Sequence, residues 1–201
     1  MTANKGAQNP GPQDNDPKPI SVFEITGEPL QASNWKEHVL TRVAVPINAQ
    51  PIDLDGDGDL DVLGGSRNER RIMWFENRSS GRLAFVEHAI KLAGTSVPDD
   101  ERPSTLRGTT RALVTGFNLD FADLSADGRV DVVLAEGASR LVWLEQPPEL
   151  SMPWTLHAIG TVGPDDVVGF ALADIDSDGD RDVIVGGYSR GRTLVFLNPR
   201  R

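Results

Sequence analysis

A nine-residue aspartate pattern occurring three times governs what this chain can fold into. Residues 53–61 read Asp-Leu-Asp-Gly-Asp-Gly-Asp-Leu-Asp, residues 123–131 read Asp-Leu-Ser-Ala-Asp-Gly-Arg-Val-Asp, and residues 174–182 read Asp-Ile-Asp-Ser-Asp-Gly-Asp-Arg-Asp. Each copy leads into a short apolar run and then a strand-like segment with a central aromatic: Ile72-Met-Trp74-Phe, Leu141-Val-Trp143-Leu and Leu194-Val-Phe196-Leu. A further frame, aromatic-x-x-His-x-aliphatic, also recurs: Trp35 to Leu40, Phe85 to Ile90 and Trp154 to Ile159. Three features returning in one order define an internal repeat, and the repeat sets the architecture.

The first aspartates of successive copies lie 70 and then 51 residues apart. A unit of about 40–50 residues built from four short strands is the size of a propeller blade. The runs are β-branched, bounded by Gly, Asn and Asp, and free of any sustained helical period. The expected fold is therefore all-β, with propeller-type blades of four antiparallel strands. About three blades' worth of strands are present, in the order 4, 1234, 1234, 123. The longer interval contains an insertion at about 92–113. Residues 1–20, with Pro10, Pro12, Pro17 and Pro19 among polar residues, read as disordered, and the leader as a whole is placed at 1–30. Blades then occupy 31–201.

The aspartate loops carry chemistry. Calcium takes six to eight hard oxygens, and alternate residues of a tight loop turn carboxylates inward. Loop one offers Asp53, Asp55, Asp57 and Asp61, with Asp59 contributing its backbone carbonyl. Loop three offers Asp174, Asp176, Asp178 and Asp182, with Asp180 in the carbonyl position. Gly58 and Gly179 allow the sharp turn. An EF-hand would need Glu at position twelve, where Gly64 and Val185 stand. Loop two, with Asp123, Ser125, Asp127, Arg129 and Asp131, has one carboxylate fewer at the ligating positions and makes a weaker third site. The loops lack the nitrogen and sulfur donors zinc prefers. The bland alternative is a set of Asp-Gly turns that bind nothing, but unpaired carboxylates held together repel one another without a cation.

Loop, aromatic strand and histidine strand together resemble the FG-GAP and VCBS repeats over about residues 35–201. Integrin α-subunit propellers and many bacterial surface proteins carry these repeats. The resemblance implies calcium-rigidified blades, an extracellular or cell-surface setting, and a non-enzymatic module for protein or glycan interaction and adhesion. It fixes no single activity. Alternatives are a carbohydrate-active propeller (polysaccharide lyase-like or a lectin) and a fragment of a larger ring.

Composition excludes several classes. With no cysteine, disulfides and thiolate chemistry are ruled out. A net charge of −10 points away from nucleic acid. No apolar stretch reaches membrane-spanning length. The first ten residues lack the apolar segment of a secretory signal, so the start has been trimmed or export follows another route. Gly187-Tyr188-Ser189-Arg190-Gly191 matches a nucleophile elbow, yet it lies between two strands, and every histidine is taken by the repeat. Trp35, Trp74, Trp143 and Trp154 are assigned to packing between blades. Asp99, Asp100, Glu101, Asp165 and Asp166 read as solvated loop charges.

The turns joining second to third strands carry Arg67, Arg70, Arg71, Arg140, Arg190 and Arg192, and the insertion adds Arg102, Arg107 and Arg111. These turns lie at the strand ends opposite the aspartate loops, which suggests an arginine face for acidic glycans or a carboxylate-rich partner. Three blades leave open edges. A homodimer completing a six-blade ring, with Trp35–Thr41 beside a neighbour's Thr193–Leu197, would cover them.

Overall fold

The computed structural model describes residues 2–3, 15–96 and 114–199, and their regular secondary structure is almost entirely β. The chain divides into two compact units, Met1–Ala89 and Ile90–Arg201, each with two sheets.

In the first unit, β1 (Thr2–Ala3), β2 (Pro17–Ile25) and β3 (Trp35–Ala44) form one antiparallel sheet, with the 3-10 turn Ala32–Asn34 between β2 and β3. A second sheet runs in sequence order through β4 (Pro46–Ile52), β5 (Asp61–Ser66), β6 (Arg71–Asn77) and β7 (Phe85–Ala89). Every residue of β5 is buried, as expected for a strand covered on both faces. Ile20 and Val43 from the first sheet meet Val62, Met73 and Phe75 of the second in one core cluster. Gly64 lies where the sheets come closest, since a Cβ there would sit 3.1 Å from Ile20 Cδ1.

The second unit repeats this plan. After β8 (Leu92–Ala93), strands β9 (Val114–Ala122), β10 (Asp131–Glu136), β11 (Arg140–Glu145) and β12 (Trp154–Thr161) form an antiparallel sheet, and β8 adds a parallel fifth strand beyond β12. The last sheet has three strands: β13 (Val167–Ala173), β14 (Asp182–Gly187) and β15 (Thr193–Phe196). Leu141, Val162, Val167, Val183 and Val185 form its core with Phe196 packed against them. Gly160 has no side chain because the Phe196 ring fills that space. The innermost strands β4, β9 and β13 all show a register shift near the end where the preceding link enters. A repeated bulge of this kind is a designed bend.

The all-β, blade-type expectation holds, with three differences of detail. Pro17–Ile25, placed within the leader, is a nine-residue strand paired along β3 from Pro17↔Ala44 to Ile25↔Trp35. The sheet it creates supplies strands two to four, so the sheets number four among the described residues, two with four blade strands and two with three. Phe196 is not the counterpart of Trp74 and Trp143. It faces Val183 as Phe75 faces Val62 and Leu144 faces Val132, so Val195 holds the tryptophan slot. Most of the insertion, including Asp99, Asp100, Glu101, Arg102, Arg107 and Arg111, lies outside the described residues. Its start is ordered through β8 and through Thr95 and Ser96, which donate to the buried Glu136 at 2.5–2.7 Å.

Candidate metal centres in the aspartate loops

Each aspartate loop joins the first and second strands of its sheet and is folded by its own carboxylates. Asp53 accepts from Gly56 N at 2.9 Å and Gly58 N at 3.2 Å. Asp123 accepts from Asp127 N at 3.0 Å and Gly128 N at 2.9 Å, and Asp174 from Asp178 N and Gly179 N, both at 3.1 Å. One side chain thus gathers the amides of the turn in all three copies. The sixth position needs left-handed backbone (φ of 93°, 86° and 99° at Gly58, Gly128 and Gly179), which glycine adopts without steric cost. The fourth position needs it too, and there the loops differ, with Gly56 at 76°, Ala126 at 59° and Ser177 at 62°.

The ninth aspartate closes the loop. Asp61, Asp131 and Asp182 are buried, and each bridges the loop's second residue to a residue at or just past the end of the third strand. Asp61 accepts from Leu54 N at 3.3 Å and Asn77 N at 2.7 Å, Asp131 from Leu124 N at 2.9 Å and Gln146 N at 3.0 Å, and Asp182 from Ile175 N and Asn198 N at 2.8 Å. Those amides hold Asp182 below the usual carboxylate range, whereas burial pushes Asp131 above it. Asp61 has a further partner in the indole of Trp74, whose Nε1 donates at 2.8 Å.

The loops differ in where their carboxylate oxygens lie. Asp53, Asp55 and Asp57 bring one oxygen each within 4.8 Å of one another, as do Asp174, Asp176 and Asp182. Among the described residues no comparable acidic group forms in loop two. Partial burial, with the nearby Asp61, Asp57 and Glu76 charges, raises the Asp55 pKa, and burial with Asp178 and Asp182 raises that of Asp176. Asp59 and Asp180 use their amides to bond Asp57 and Asp178. Asp178 and Asp61 stand outside the two groups. In loop two Ser125 donates toward Asp123 at 3.5 Å, and the Arg129 guanidinium pairs with Asp127. The oxygen-only donor set and the crowding of like charge in loops one and three fit a hard divalent cation.

The outer strands repeat a second arrangement. His38, His88 and His157 bond Glu24, Glu76 and Glu145 at 2.9, 2.8 and 2.6 Å. His88 and His157 also stack on Trp74 and Trp143, with centroids 4.6 and 4.3 Å apart. These two tryptophans therefore pack within their own sheets. Trp154 is fully buried, while Trp35 is 44% exposed and donates to Pro29 O.

At the opposite strand ends, carboxylates hold each incoming link to the turn between strands two and three. Glu69 accepts from Ala44 N at 2.8 Å, Glu136 takes Thr95 and Ser96, and Asp165 accepts from Ser189 N, Ser189 Oγ and Arg190 N at 2.7–3.1 Å. Asp165 is 1% exposed, not a solvated charge, and the Ser189 backbone and hydroxyl with the Asp166 and Arg190 amides lower its pKa to about 2. Gly187 leaves the room it occupies. Ser189 thus lies between two strands, bound to a structural carboxylate. Of the arginines in these turns, Arg71 is neutralised by Glu69 and Glu87, Arg192 donates to Val162 O, and Arg70 and Arg190 are exposed. Arg67 and Arg140 are half-buried.

Sequence reasoning missed the Trp74–Asp61 bond, the Arg129 side chain and the link carboxylates. Arg129 sits at a repeat position where the copies differ, which is the signal that could have found it, whereas Trp74 has its counterpart in Trp143 and gives none. Glu69, Glu136 and Asp165 occupy non-equivalent positions and leave no such signal. A family model described as an FG-GAP-like repeat matches the chain over residues 53–134 and again over 123–185. Comparison with curated proteins finds no match.

Proposed function

The chain belongs to the FG-GAP-like repeat family, and from that membership we propose that it is a non-catalytic, calcium-stabilised β-propeller repeat module for protein or glycan interaction at or outside the cell surface. The observation that carries the calcium reading is the double acidic cluster, Asp53/Asp55/Asp57 and Asp174/Asp176/Asp182, in equivalent loops of separate units. Calcium bound there would neutralise carboxylates that otherwise oppose the fold. The chain's own contribution is to hold the turn through Asp53 and Asp174 and to anchor it through Asp61 and Asp182.

The test is thermal melting in calcium and in chelator. With free calcium about 100-fold above a site's dissociation constant, each site adds roughly 2.7 kcal/mol. A melting temperature indifferent to chelator contradicts the reading.

Interaction with acidic glycans is supported by the exposed Arg70 and Arg190 in equivalent turns. Such binding is salt-sensitive and weakened in an Arg70→Ser/Arg190→Ser double variant, and equal retention of neutral and acidic glycans on affinity gels contradicts it. A second copy of the chain is a candidate partner: Pro17–Ile25 takes one edge of Trp35–Thr41, and the other edge has no strand partner among the described residues. β15 is likewise an end strand with one strand partner among the described residues, as β3 and β7 are. Light scattering of the full chain decides between dimer and monomer.

A further inference from the structure

Loop two departs from its sister loops at three positions, two of which, Arg129 and Gln146, bond each other. Ser125 replaces Asp55 and Asp176, Arg129 replaces Asp59 and Asp180, and Gln146 replaces Asn77 and Asn198 at the end of the third strand. The Arg129 guanidinium is ion-paired to Asp127, and its Nε donates to the Gln146 carbonyl at 3.0 Å. The Gln146 side chain returns to the loop, its Oε1 accepting from Val130 N at 2.9 Å, and its own amide donates to the buried Asp131. The guanidinium is pinned at both ends, two-thirds shielded from water, inside a loop whose carboxylates number three instead of five.

We propose that loop two carries its own cation: Arg129, braced by Gln146, does there what a metal ion does in loops one and three, and so sets which loops of this chain bind metal. The comparison rests on the calcium reading of the other loops, whereas the role of Arg129 within loop two does not. Two of the three exchanges change charge, Ser125 at position three and Arg129 at position seven, and the third, Gln146, does not. Together they remove the ligating carboxylate at position three and supply a positive charge at position seven, where the main-chain carbonyl of Gln146 braces it, while the longer Gln146 side chain ties down the Val130 amide beside it. The loop still keeps the Asp123 turn and the Asp131 closure, which need no ion.

The experiment uses the full chain. In chelator, Arg129→Gln lowers the melting temperature by about 2–4 °C, the size expected for losing roughly 1 kcal/mol in a domain of this length. Arg129→Lys, which keeps the charge, recovers part of that loss. No drop for Arg129→Gln, or an equal drop for Lys and Gln, overturns the role of the charge. Equilibrium dialysis against calcium then counts bound ions. The wild type binds two, and the Ser125→Asp/Arg129→Asp variant binds three. Three ions on the wild type, or two on the variant, overturn the inference while leaving loops one and three as calcium sites. No ion on the wild type contradicts the calcium reading instead, and the chelator melts still decide the role of Arg129.

Discussion

Loops one and two share a backbone and differ in charge. In both, the first aspartate gathers the turn amides and the ninth closes the loop onto the third strand. Loop one then leaves three carboxylates facing one point, while loop two answers its carboxylates with Arg129. The turn is therefore encoded by positions one, six and nine, whereas the crowding of carboxylates turns on position three, Asp55 and Asp176 against Ser125. On the proposed calcium reading, the repeat keeps its shape while a side chain takes the ion's place in loop two.

The largest effect that would break this comparison is in the carboxylate clusters. Asp55→Ala or Asp176→Ala should abolish most of the calcium-dependent stabilisation at that loop, roughly 2–3 kcal/mol under saturating calcium. Asp127→Ala in loop two should weaken the fold equally with or without calcium. Melting each variant in calcium and chelator checks both, and a calcium-dependent loss for Asp127→Ala would erase the distinction.

The next effect sets the metal end of the strands against the link end. The folded-state pKa of Asp165 is depressed to about 2 by its hydrogen bonds to Ser189, Asp166 and Arg190. A depressed carboxylate stabilises the fold above its unfolded value near 4 and loses that contribution as pH falls from about 4 toward 2. Asp165→Asn should lower the melting temperature at pH 7 and flatten the acid limb of a stability–pH profile measured in chelator. An unchanged acid limb would mean that Asp165 does not hold the link.

Much of this organisation was legible in the sequence because loop chemistry is local. The Asp-Gly spacing located all three loops, and the histidine frame located the outer strands. The strand Pro17–Ile25 was not legible, since its prolines resemble those of the leader before it. Pro17 and Pro19 are two residues apart, so their nitrogens face one edge and leave the other edge able to donate. Asp165 was misread because a carboxylate following Gly-Pro carries no mark of burial. Its partners come from Ser189 and Arg190, more than 20 residues on. Arg129 was counted for its backbone carbonyl alone, because only the fold brings Gln146 beside it.

Smaller effects sharpen the difference between loops. Trp74 Nε1 donates to Asp61 in loop one, whereas Asp131 is satisfied by backbone amides in loop two. Trp74→Phe should cost about 1 kcal/mol, and calcium should change the tryptophan fluorescence of the wild type but not of this variant. A fluorescence change persisting in that variant would place the response elsewhere. Smallest of all, Ala126→Gly should stabilise loop two by about 0.5–1 kcal/mol, because position four is left-handed and already glycine in loop one. Chemical denaturation with an unchanged slope measures it, and a loss of stability would show that the Ala126 backbone is not strained.

Amide hydrogen exchange at Gly58, Gly128 and Gly179 tests the central claim most directly, since each amide donates to the first aspartate of its loop. On adding calcium to the full chain, exchange at Gly58 and Gly179 should slow at least tenfold, while Gly128 keeps the rate it has in chelator. Equal slowing at all three would contradict the division between metal-bound and self-neutralised loops, and no slowing at any would contradict calcium binding itself.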